Sequence, residues 1–224
     1  MGNNVDAAHN VVKGNFVRYA DVSMTERRYH HGDLRNALLA EAERTLRERG
    51  AQALSLRELA RAAGVSHGAP RRHFADRQAL LDALAQTGFQ RLGDSLRAAV
   101  DRAGEDFEAR LGAVAAAYIR FAIADPALLE LMFAAKHRED EADGTLEQAA
   151  LRAFAVMLEL IEQGQAQGRL EPGDPERVGL VLFATIQGIA TLHTGGMIEA
   201  HQIDELTGDA IASFLRGSRT ADIL

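Results

Sequence analysis

The sequence predicts an all-α protein, and three observations support this fold class. Ala, Leu, Arg and Glu, which favour helices, are frequent. Apolar residues recur at three- and four-residue spacings, and no segment alternates at period two for long enough to form a strand. None of the 4 prolines falls inside a long predicted helix. With 224 residues and 47% hydrophobic content, the chain can form one large or two small domains with a real core.

The first predicted helix begins at the cap residue Asp33 and ends at Gly50. Before it, residues 1–23 have no helical or strand periodicity, and we expect disorder there. Met24 resembles a natural start, so this stretch is either a leader from an upstream start codon or a cloning remnant. The apolar stripe of the first helix comprises Leu34, Ala37, Leu38, Ala42, Thr45 and Leu46.

Two short helices are predicted within residues 55–74. Ser55 and Glu58 form an S-x-x-E capping box that opens the second helix, which stops at Gly64. Its buried face comprises Leu56, Leu59, Ala60 and Ala63. A short polar third helix then begins at Ser66 or His67. Such a pair, joined by a tight turn, is typical of a helix-turn-helix, whose second helix enters the DNA major groove.

Pro70 lies inside the short third helix. Because proline has no backbone N–H, a helix capped by Ser66 would lose its first hydrogen bond there. A start one residue later, or a 3₁₀ opening, would avoid that loss.

The rest of the chain predicts further helices. Asp76 caps a long fourth helix, whose apolar positions are Ala79, Leu80, Leu84, Leu92 and Leu96. Asp125–Pro126 and Asp174–Pro175 each place a capping aspartate before a proline at the first helical position, while Pro172 lies in a loop. The later helices are predicted near residues 106–122, 126–136, 144–168, 174–197 and 203–217.

The domain organisation follows from these elements. We predict that residues 1–25 form a disordered leader and that residues 26–75 form a three-helix DNA-binding domain. Residues 76–217 are expected to form a larger helical domain for ligand binding and dimerisation, followed by a tail at residues 218–224.

The net charge of −7 is unevenly divided along the chain. Residues 24–92 carry a balance of +4, whereas residues 93–224 carry −11. A basic N-terminal part on an acidic body would orient the molecule toward phosphates. The alternative is a solvated surface whose charge is merely uneven.

Several classes of protein and site are not indicated. The chain has no Cys, which excludes disulfides and thiolate metal sites. No apolar run approaches a membrane helix, and no secretory signal is recognisable, so we expect a cytoplasmic protein. His30–His31 lacks further spaced ligands, so no metal site is predicted. No Gly-rich phosphate loop, G-x-S-x-G or H-E-x-x-H motif is present, and we therefore expect neither an enzyme nor a cofactor.

The side chains expected to contact DNA come from the third helix and its surroundings. Small residues at its start would allow close approach to the groove, and arginine can bind the O6 and N7 acceptors of guanine. The second helix and the start of the fourth would contact phosphates, and a basic arm before the first helix would enter the minor groove. The predicted DNA-contacting residues are Arg27, Arg28, Ser55, Arg57, Ser66, His67, Gly68, Ala69, Arg71, Arg72, His73 and Arg77.

Structural alternatives exist for several of these residues. Arg71 and Arg72 would then cover a solvated face, and His73 would be half-buried beside Phe74. The basic arm would be a frayed, solvated segment.

Three segments resemble the N-terminal domain of TetR-family transcriptional regulators. They are residues 29–39 (YHHGDLRNALL), 56–66 (LRELARAAGVS) and 72–80 (RHFADRQAL). The resemblance implies a homodimeric repressor whose third helix enters the major groove. It also implies a C-terminal domain that binds a small ligand and dimerises. Arg71 stands where most members carry tyrosine, which changes the expected operator preference.

The resemblance implies a ligand pocket among the middle helices. The candidate lining residues are Phe121, Met132, Phe133, Phe154, Met157, Phe183, Gln187 and His193. Apolar walls with a few polar groups suit a small-molecule site, although Met and Phe at helical spacing are also ordinary core residues. Residues 185–193 resemble a degenerate form of a Trp…His-Gly segment of one subgroup, with Gly188 retained and Gln187 in the histidine position.

The last two helices are the expected dimer surface. Their candidate interface residues are Leu182, Ile186, Ile189, Ile211 and Phe214, and Val181 lies on the same broad apolar side as the first three. Two such helices from each subunit would form a four-helix bundle about a two-fold axis. Packing inside a monomer is the alternative, but a palindromic operator would require two DNA-binding domains.

The leading functional prediction is a ligand-responsive regulator that binds a palindromic operator as a dimer and is released by a small molecule. Repression is expected, although activation stays open. The alternative is an architectural or accessory DNA-binding protein that does not respond to a ligand.

Overall fold

The computed structural model describes residues 31–136 and 144–218, and in this part of the chain every regular element is helical. The α-helices are α1 (His31–Arg49), α2 (Leu56–Ala62), α3 (Arg77–Arg102), α4 (Phe107–Ala124), α5 (Pro126–Lys136), α6 (Thr145–Ala166), α7 (Pro175–Thr194) and α8 (Ile203–Gly217). Short 3₁₀ turns occupy Ala51–Ala53, Pro70–Arg72 and Ala200–Gln202. The predicted all-α class is confirmed.

The start of α1 differs from the prediction, whereas its end agrees. The backbone is already helical at His31, so Asp33 lies within the helix and does not mark its beginning. Gly50 ends α1 with a φ of 76°, a left-handed conformation that glycine adopts without steric cost. The predicted leader at residues 1–25 lies outside the described residues.

The second helix begins after Ser55 and ends before Gly64, as predicted. Ser55 has the extended backbone of a cap residue, but its side chain makes no capping hydrogen bond. The predicted capping box is therefore not formed. Leu59 and Ala60 are buried, and they hold α2 against the rest of the domain.

The predicted third helix is not a regular α-helix. After α2, Ala69 N–H donates to the Ser66 carbonyl, and the next bonds of the same span form the 3₁₀ turn Pro70–Arg72. Pro70 supplies no N–H, so the hydrogen bond that would continue an α-helix from Ser66 cannot form. The 3₁₀ form considered for this segment is the one observed, and it begins at the proline itself.

Helix α3 is the central element of the fold. Asp76 caps it, as predicted, by accepting a hydrogen bond from Ala79 N–H at 2.9 Å. Along its 26 residues, α3 packs against α4, α5 and α6, and it also contacts α1. The helix therefore connects the N-terminal elements to the C-terminal bundle. Its fully buried residues include Leu80, Leu84, Phe89, Leu92 and Leu96.

The C-terminal helices lie within three residues of their predicted bounds. Helix α4 packs on α7 and α8, which also pack on each other, and α6 packs on α3. Asp174 caps α7 by accepting from Glu176 N–H at 3.0 Å, as predicted. The prediction for Asp125 as a cap of α5 is wrong, because one of its carboxylate oxygens binds Arg47 and the other has no partner.

Among the described residues, no single helix is long and apolar enough to cross a membrane. Helices α4 and α5 are long and apolar enough only when they are taken together, and the chain bends by 101° between them.

Candidate DNA-contacting surface and candidate ligand groove

The turn between α2 and α3 presents the predicted recognition residues on the outside of the molecule. Ser66, His67 and Gly68 are exposed, and Arg71 and Arg72 follow on the 3₁₀ turn. Beneath them Pro70 and Phe74 are buried, and they fix this turn to the core. The sequence thus forms a polar surface segment on an apolar base.

Three exposed arginines of this surface, Arg57, Arg71 and Arg72, make no hydrogen bond or ion pair with any other described residue. The acidic residue of α2, Glu58, instead lies 3.8 Å from Arg49 and 3.9 Å from Arg61. The three guanidinium groups are therefore open to an external anion or base edge.

The position of Arg77 differs from the expectation of a phosphate contact. Its guanidinium donates to the carbonyl oxygens of Leu54 at 3.0 Å and Ala51 at 2.6 Å. These bonds tie the first residue of α3 to the connection between α1 and α2. Arg77 is thus a structural residue of the domain. His73 is half-buried next to Phe74, which agrees with its structural alternative.

The predicted basic arm, with Arg27 and Arg28, lies outside the described residues. Ser55 and Ala69 are half-buried at the edges of the exposed surface. One further contact supports the surface from α1: Arg35 lies over the Phe74 ring, 5.4 Å from its centroid.

An ion-pair network joins α1 to the corner between α4 and α5. Arg47 donates to Asp125 at 2.7 Å and to Glu43 at 3.0 Å, and Arg91 of α3 donates to the same Glu43 at 2.7 Å. Asp125 is buried, with 4% of its surface exposed. The hydrogen bond and charge of Asp125 are the main reasons that the pKa of Arg47 is raised.

An aromatic cluster occupies the interior between α4, α5, α6 and α7. The Phe183 ring lies 5.2 Å from Tyr118, 5.2 Å from Phe154 and 6.1 Å from Phe133, all in edge-to-face arrangements. Phe89 extends the cluster at 6.2 Å from Phe154. Three of the predicted ligand residues are therefore brought together.

Tyr118 is the residue of this cluster that the sequence prediction missed. It is completely buried, and its hydroxyl donates to the side-chain oxygen of Gln187. Burial raises the pKa of Tyr118, so the phenol is neutral at physiological pH. A single tyrosine in the apolar sequence of α4 was the available signal, because a buried hydroxyl needs a partner.

A groove with a volume of about 410 Å³ opens beside this cluster, between α5 and α7. Phe133 and Gln187 are the two predicted ligand residues that line it. Its other lining residues are Ala122, Pro126, Leu129, Glu130, Ala134, Ala190, Thr191 and Thr194.

The other predicted ligand residues have different surroundings. Met132 and Met157 are buried in the core, and the Cβ of an alanine at Gly88 would lie 2.6 Å from the Met132 sulfur. Phe121 packs half-buried against the core. At the end of α7, a ring nitrogen of His193 lies 3.1 Å from the Ile198 carbonyl oxygen. None of these four residues lines the groove.

The predicted dimer residues lie in the interior of the single chain. Leu182, Ile186, Ile189, Ile211 and Phe214 are all buried within the single chain, because α7 and α8 use these side chains to pack on α4 and on each other. On the single chain these side chains are therefore not available to a partner, and the alternative of packing inside one chain describes their surroundings. The opposite face of α7 carries the exposed residues Val181, Ala184, Thr185 and Leu192, with the half-buried Gly188 between them.

Comparisons with known proteins agree with this arrangement. A family model described as "Bacterial regulatory proteins, tetR family" matches residues 38–84. A second, described as "Tetracyclin repressor-like, C-terminal domain", matches residues 111–214. No curated protein matches the chain in sequence.

Several solved structures share the fold. A protein with unknown function from Rhodococcus sp. RHA1 is 47% identical, with a TM-score of 0.81, over 87% of this chain and 100% of that chain. A bacterial regulatory protein in the tetR family from Rhodococcus RHA1 is 19% identical, with a TM-score of 0.67, over 84% and 98%. A TetR family transcription regulator from Marinobacter aquaeolei VT8 is 21% identical, with a TM-score of 0.65, over 80% and 94%.

Proposed function

This chain belongs to the TetR family of transcriptional regulators, and from that premise we propose that it is a ligand-responsive repressor. Two copies of the chain bind a two-fold symmetric operator, and a small molecule in the C-terminal domain releases them. The observation that carries the proposal is the exposed turn Ser66–Arg72, whose two arginines have no partner among the described residues.

The turn suits DNA recognition because of its shape and its charge. Ser66, His67 and Gly68 have small or planar side chains and leave room for a duplex. Arg72 is then available for the O6 and N7 atoms of guanine, and Arg71 for a phosphate or a base. Residues 24–92 as a whole carry a balance of +4, which favours approach to DNA.

For a ligand to release the protein from DNA, structural contacts must connect the C-terminal domain to the N-terminal domain. The Arg47–Asp125 pair is such a contact, since Asp125 directly precedes Pro126 at the wall of the groove. A ligand that binds one arrangement of this corner better than another would shift the relative position of the two DNA-binding domains. The free energy available to shift the equilibrium between the two arrangements is limited by the difference between the ligand's two affinities.

The DNA part of the proposal is tested with duplexes selected from a random library by the full chain. Changing Arg72→Ala weakens binding to the selected operator by about 1–3 kcal/mol, with a smaller effect on scrambled DNA. Fluorescence anisotropy titrations measure both affinities. Arg152→Ala is the matched control, because Arg152 is an exposed arginine of α6 that is remote in sequence from the turn.

Two outcomes contradict this part. If no duplex is enriched, the proposal of an operator fails. If the ratio of specific to non-specific affinity is the same in Arg72→Ala and the wild type, Arg72 does not read a base.

The dimer is proposed to form through the exposed face of α7. Val181 is 57% exposed, and the side of Gly188 that a Cβ would occupy is open, so a second helix can approach closely. Continuous apolar and small side chains exposed on one helix are typical of a self-complementary interface.

Changing Val181→Glu would place a charge in this interface, and we expect it to convert a dimer into a monomer. Sedimentation equilibrium measures the mass. Leu151→Glu is the control, because Leu151 is 59% exposed on α6 and lies off the α7 face. A Val181→Glu protein that remains as dimeric as the Leu151→Glu protein contradicts an interface at this face.

A DNA-binding protein without a ligand remains the second candidate function. This function uses the same exposed turn Ser66–Arg72, which we call the recognition turn, and it predicts that no small molecule changes the affinity for the operator.

A further inference from the structure

The groove between α5 and α7 is lined by one negatively charged side chain, and this charge indicates the class of molecule that the groove binds. We propose that its occupant is a small organic cation with an apolar or aromatic body. The proposal deepens the proposed function, since it rests on this groove being the place where a ligand acts. Its volume of about 410 Å³ is in the range of pockets for small molecules.

The first argument is the side chains that line the groove. Among the described residues, none of the lining side chains is Lys, Arg or His, and the one charged side chain is Glu130. Glu130 is exposed and makes no ion pair with any other described residue. Lys136, the basic residue of α5, instead lies over the Phe154 ring at 5.9 Å. An anionic ligand would therefore find no partner of opposite charge among the described lining residues.

The second argument is the orientation of the surrounding helices. Ala122 lies in the last turn of α4, and Thr191 and Thr194 lie in the last turn of α7. The C-terminal end of a helix carries a partial negative charge, which attracts cations. Helix α5 begins at this groove with the opposite polarity, so two helix ends at the groove favour a cation and one does not.

The third argument is the aromatic wall. Glu130 and Phe133 are three residues apart on α5, so they are neighbours on the same helix face. Phe133 is half-buried and held edge-to-face against Phe183, 6.1 Å away. Both groups attract a cation, the carboxylate through its charge and the aromatic ring through its quadrupole.

The polar group at the base of the groove is neutral and oriented. The Gln187 side-chain oxygen accepts from the buried Tyr118 hydroxyl, so its NH₂ group points the other way, 3.4 Å from the Thr191 hydroxyl. The amide thus offers an N–H donor to an ether or carbonyl oxygen of the ligand. It adds specificity without adding positive charge.

The test uses tetraphenylphosphonium and tetraphenylborate, which have nearly the same shape and opposite charges. Isothermal titration calorimetry with the full chain measures both affinities. We expect the cation to bind at least about tenfold more tightly than the anion, since a partly desolvated cation gains from both the carboxylate and the ring.

Two variants locate the binding. Glu130→Gln keeps the shape of the side chain and removes its charge, and we expect it to weaken tetraphenylphosphonium binding by roughly fivefold or more. Glu147→Gln is the control, because Glu147 is an exposed glutamate at the start of α6 that does not line the groove. Phe133→Leu should also weaken binding of the cation. The thermal denaturation of the two glutamate variants should match that of the wild type.

Three results overturn the proposal: equal affinities for the two ions, no binding of either ion, or the same effect from Glu130→Gln and Glu147→Gln. These titrations contain no DNA, so their failure leaves the operator proposal standing. If the cation binds through Glu130 but does not change operator affinity, the site is supported, and the ligand response in the proposed function fails.

Discussion

Two groups of arginines in the molecule have opposite surroundings. On the proposed DNA-contacting surface, Arg57, Arg71 and Arg72 are exposed and have no partner among the described residues. Elsewhere, Arg97 of α3 lies 2.7 Å from Glu159 of α6, and Arg169, just after α6, lies 3.4 Å from Glu108 of α4. The same residue type therefore serves two purposes: binding an external anion and joining helices of the fold.

Charged side chains on the surface of this chain need no partner to be tolerated. Exposed ion pairs add little to stability, so an exposed arginine without a partner costs the fold little either. Arg71 and Arg72 are thus free to bind an external anion. Arg47 lies between the two groups, because it is half exposed but binds a buried carboxylate.

The largest stability effect is expected at Arg47. Changing Arg47→Met leaves the buried Asp125 carboxylate without its partner, and we expect the free energy of unfolding to fall by about 2 kcal/mol. Urea denaturation measures this value. In the double variant Arg47→Met/Asp125→Asn, part of the loss should return, because no unpaired charge is buried.

The control for Arg47 is Arg44→Met, since Arg44 pairs only with the neighbouring Glu41 and Glu48 on the surface of α1. We expect no change in stability from it. Equal effects of the two variants would contradict a special role of the connection between α1 and the α4–α5 corner.

A smaller effect is expected at Tyr118. Tyr118→Phe removes the hydroxyl that donates a hydrogen bond to Gln187, and we expect the free energy of unfolding to fall by about 1 kcal/mol at neutral pH. The pH dependence has a definite sign. Because burial raises the pKa of this phenol above its ordinary value of 10.0, the unfolded chain releases the proton first, and stability falls as the pH rises above about 10.

Ultraviolet titration at alkaline pH follows the 3 tyrosines of the chain. We expect one of them to ionise later than the other two in the wild type, and this late transition to vanish in Tyr118→Phe. A single transition shared by all three tyrosines would contradict the buried, neutral phenol.

The smallest effect is expected at the exposed pair of α3 and α6. Arg97 lowers the pKa of Glu159, so the pair stabilises the folded chain above the ordinary pKa of the carboxyl and loses this contribution as the pH falls through the lowered pKa. Since both groups are largely solvated, Arg97→Met should cost only about 0.2–1 kcal/mol at neutral pH. Urea denaturation at neutral and at acidic pH checks both statements, and a larger effect at acidic pH would contradict them.

The sequence predicted the long helices well because their signals are local. Apolar spacing located α3 to α8, and the Asp76 and Asp174 caps were correct, since each depends only on a few adjacent residues. The recognition turn was harder to predict. Its composition was identified, but its 3₁₀ form follows from the missing N–H of Pro70, and the sequence left this form open.

Residues that depend on long-range contacts were not predictable in the same way. Asp125 has the sequence context of a cap, but Arg47, which is distant along the chain, binds its carboxylate. The periodicity of α7 showed one broad apolar side, and it did not tell the part that packs on α4 from the part that stays exposed. Tyr118 was missed because its partner Gln187 is on another helix.

We propose that the unpartnered arginines Arg71 and Arg72 bind DNA, and the salt dependence of duplex affinity tests this proposal. Anisotropy titrations at several salt concentrations compare the wild type with Arg71→Ala/Arg72→Ala. We predict a steep fall of affinity with salt in the wild type, and a slope of log affinity against log salt that is smaller by about 1–2 in the variant. Equal slopes in the two proteins, or no salt-sensitive affinity for any duplex, would contradict the claim.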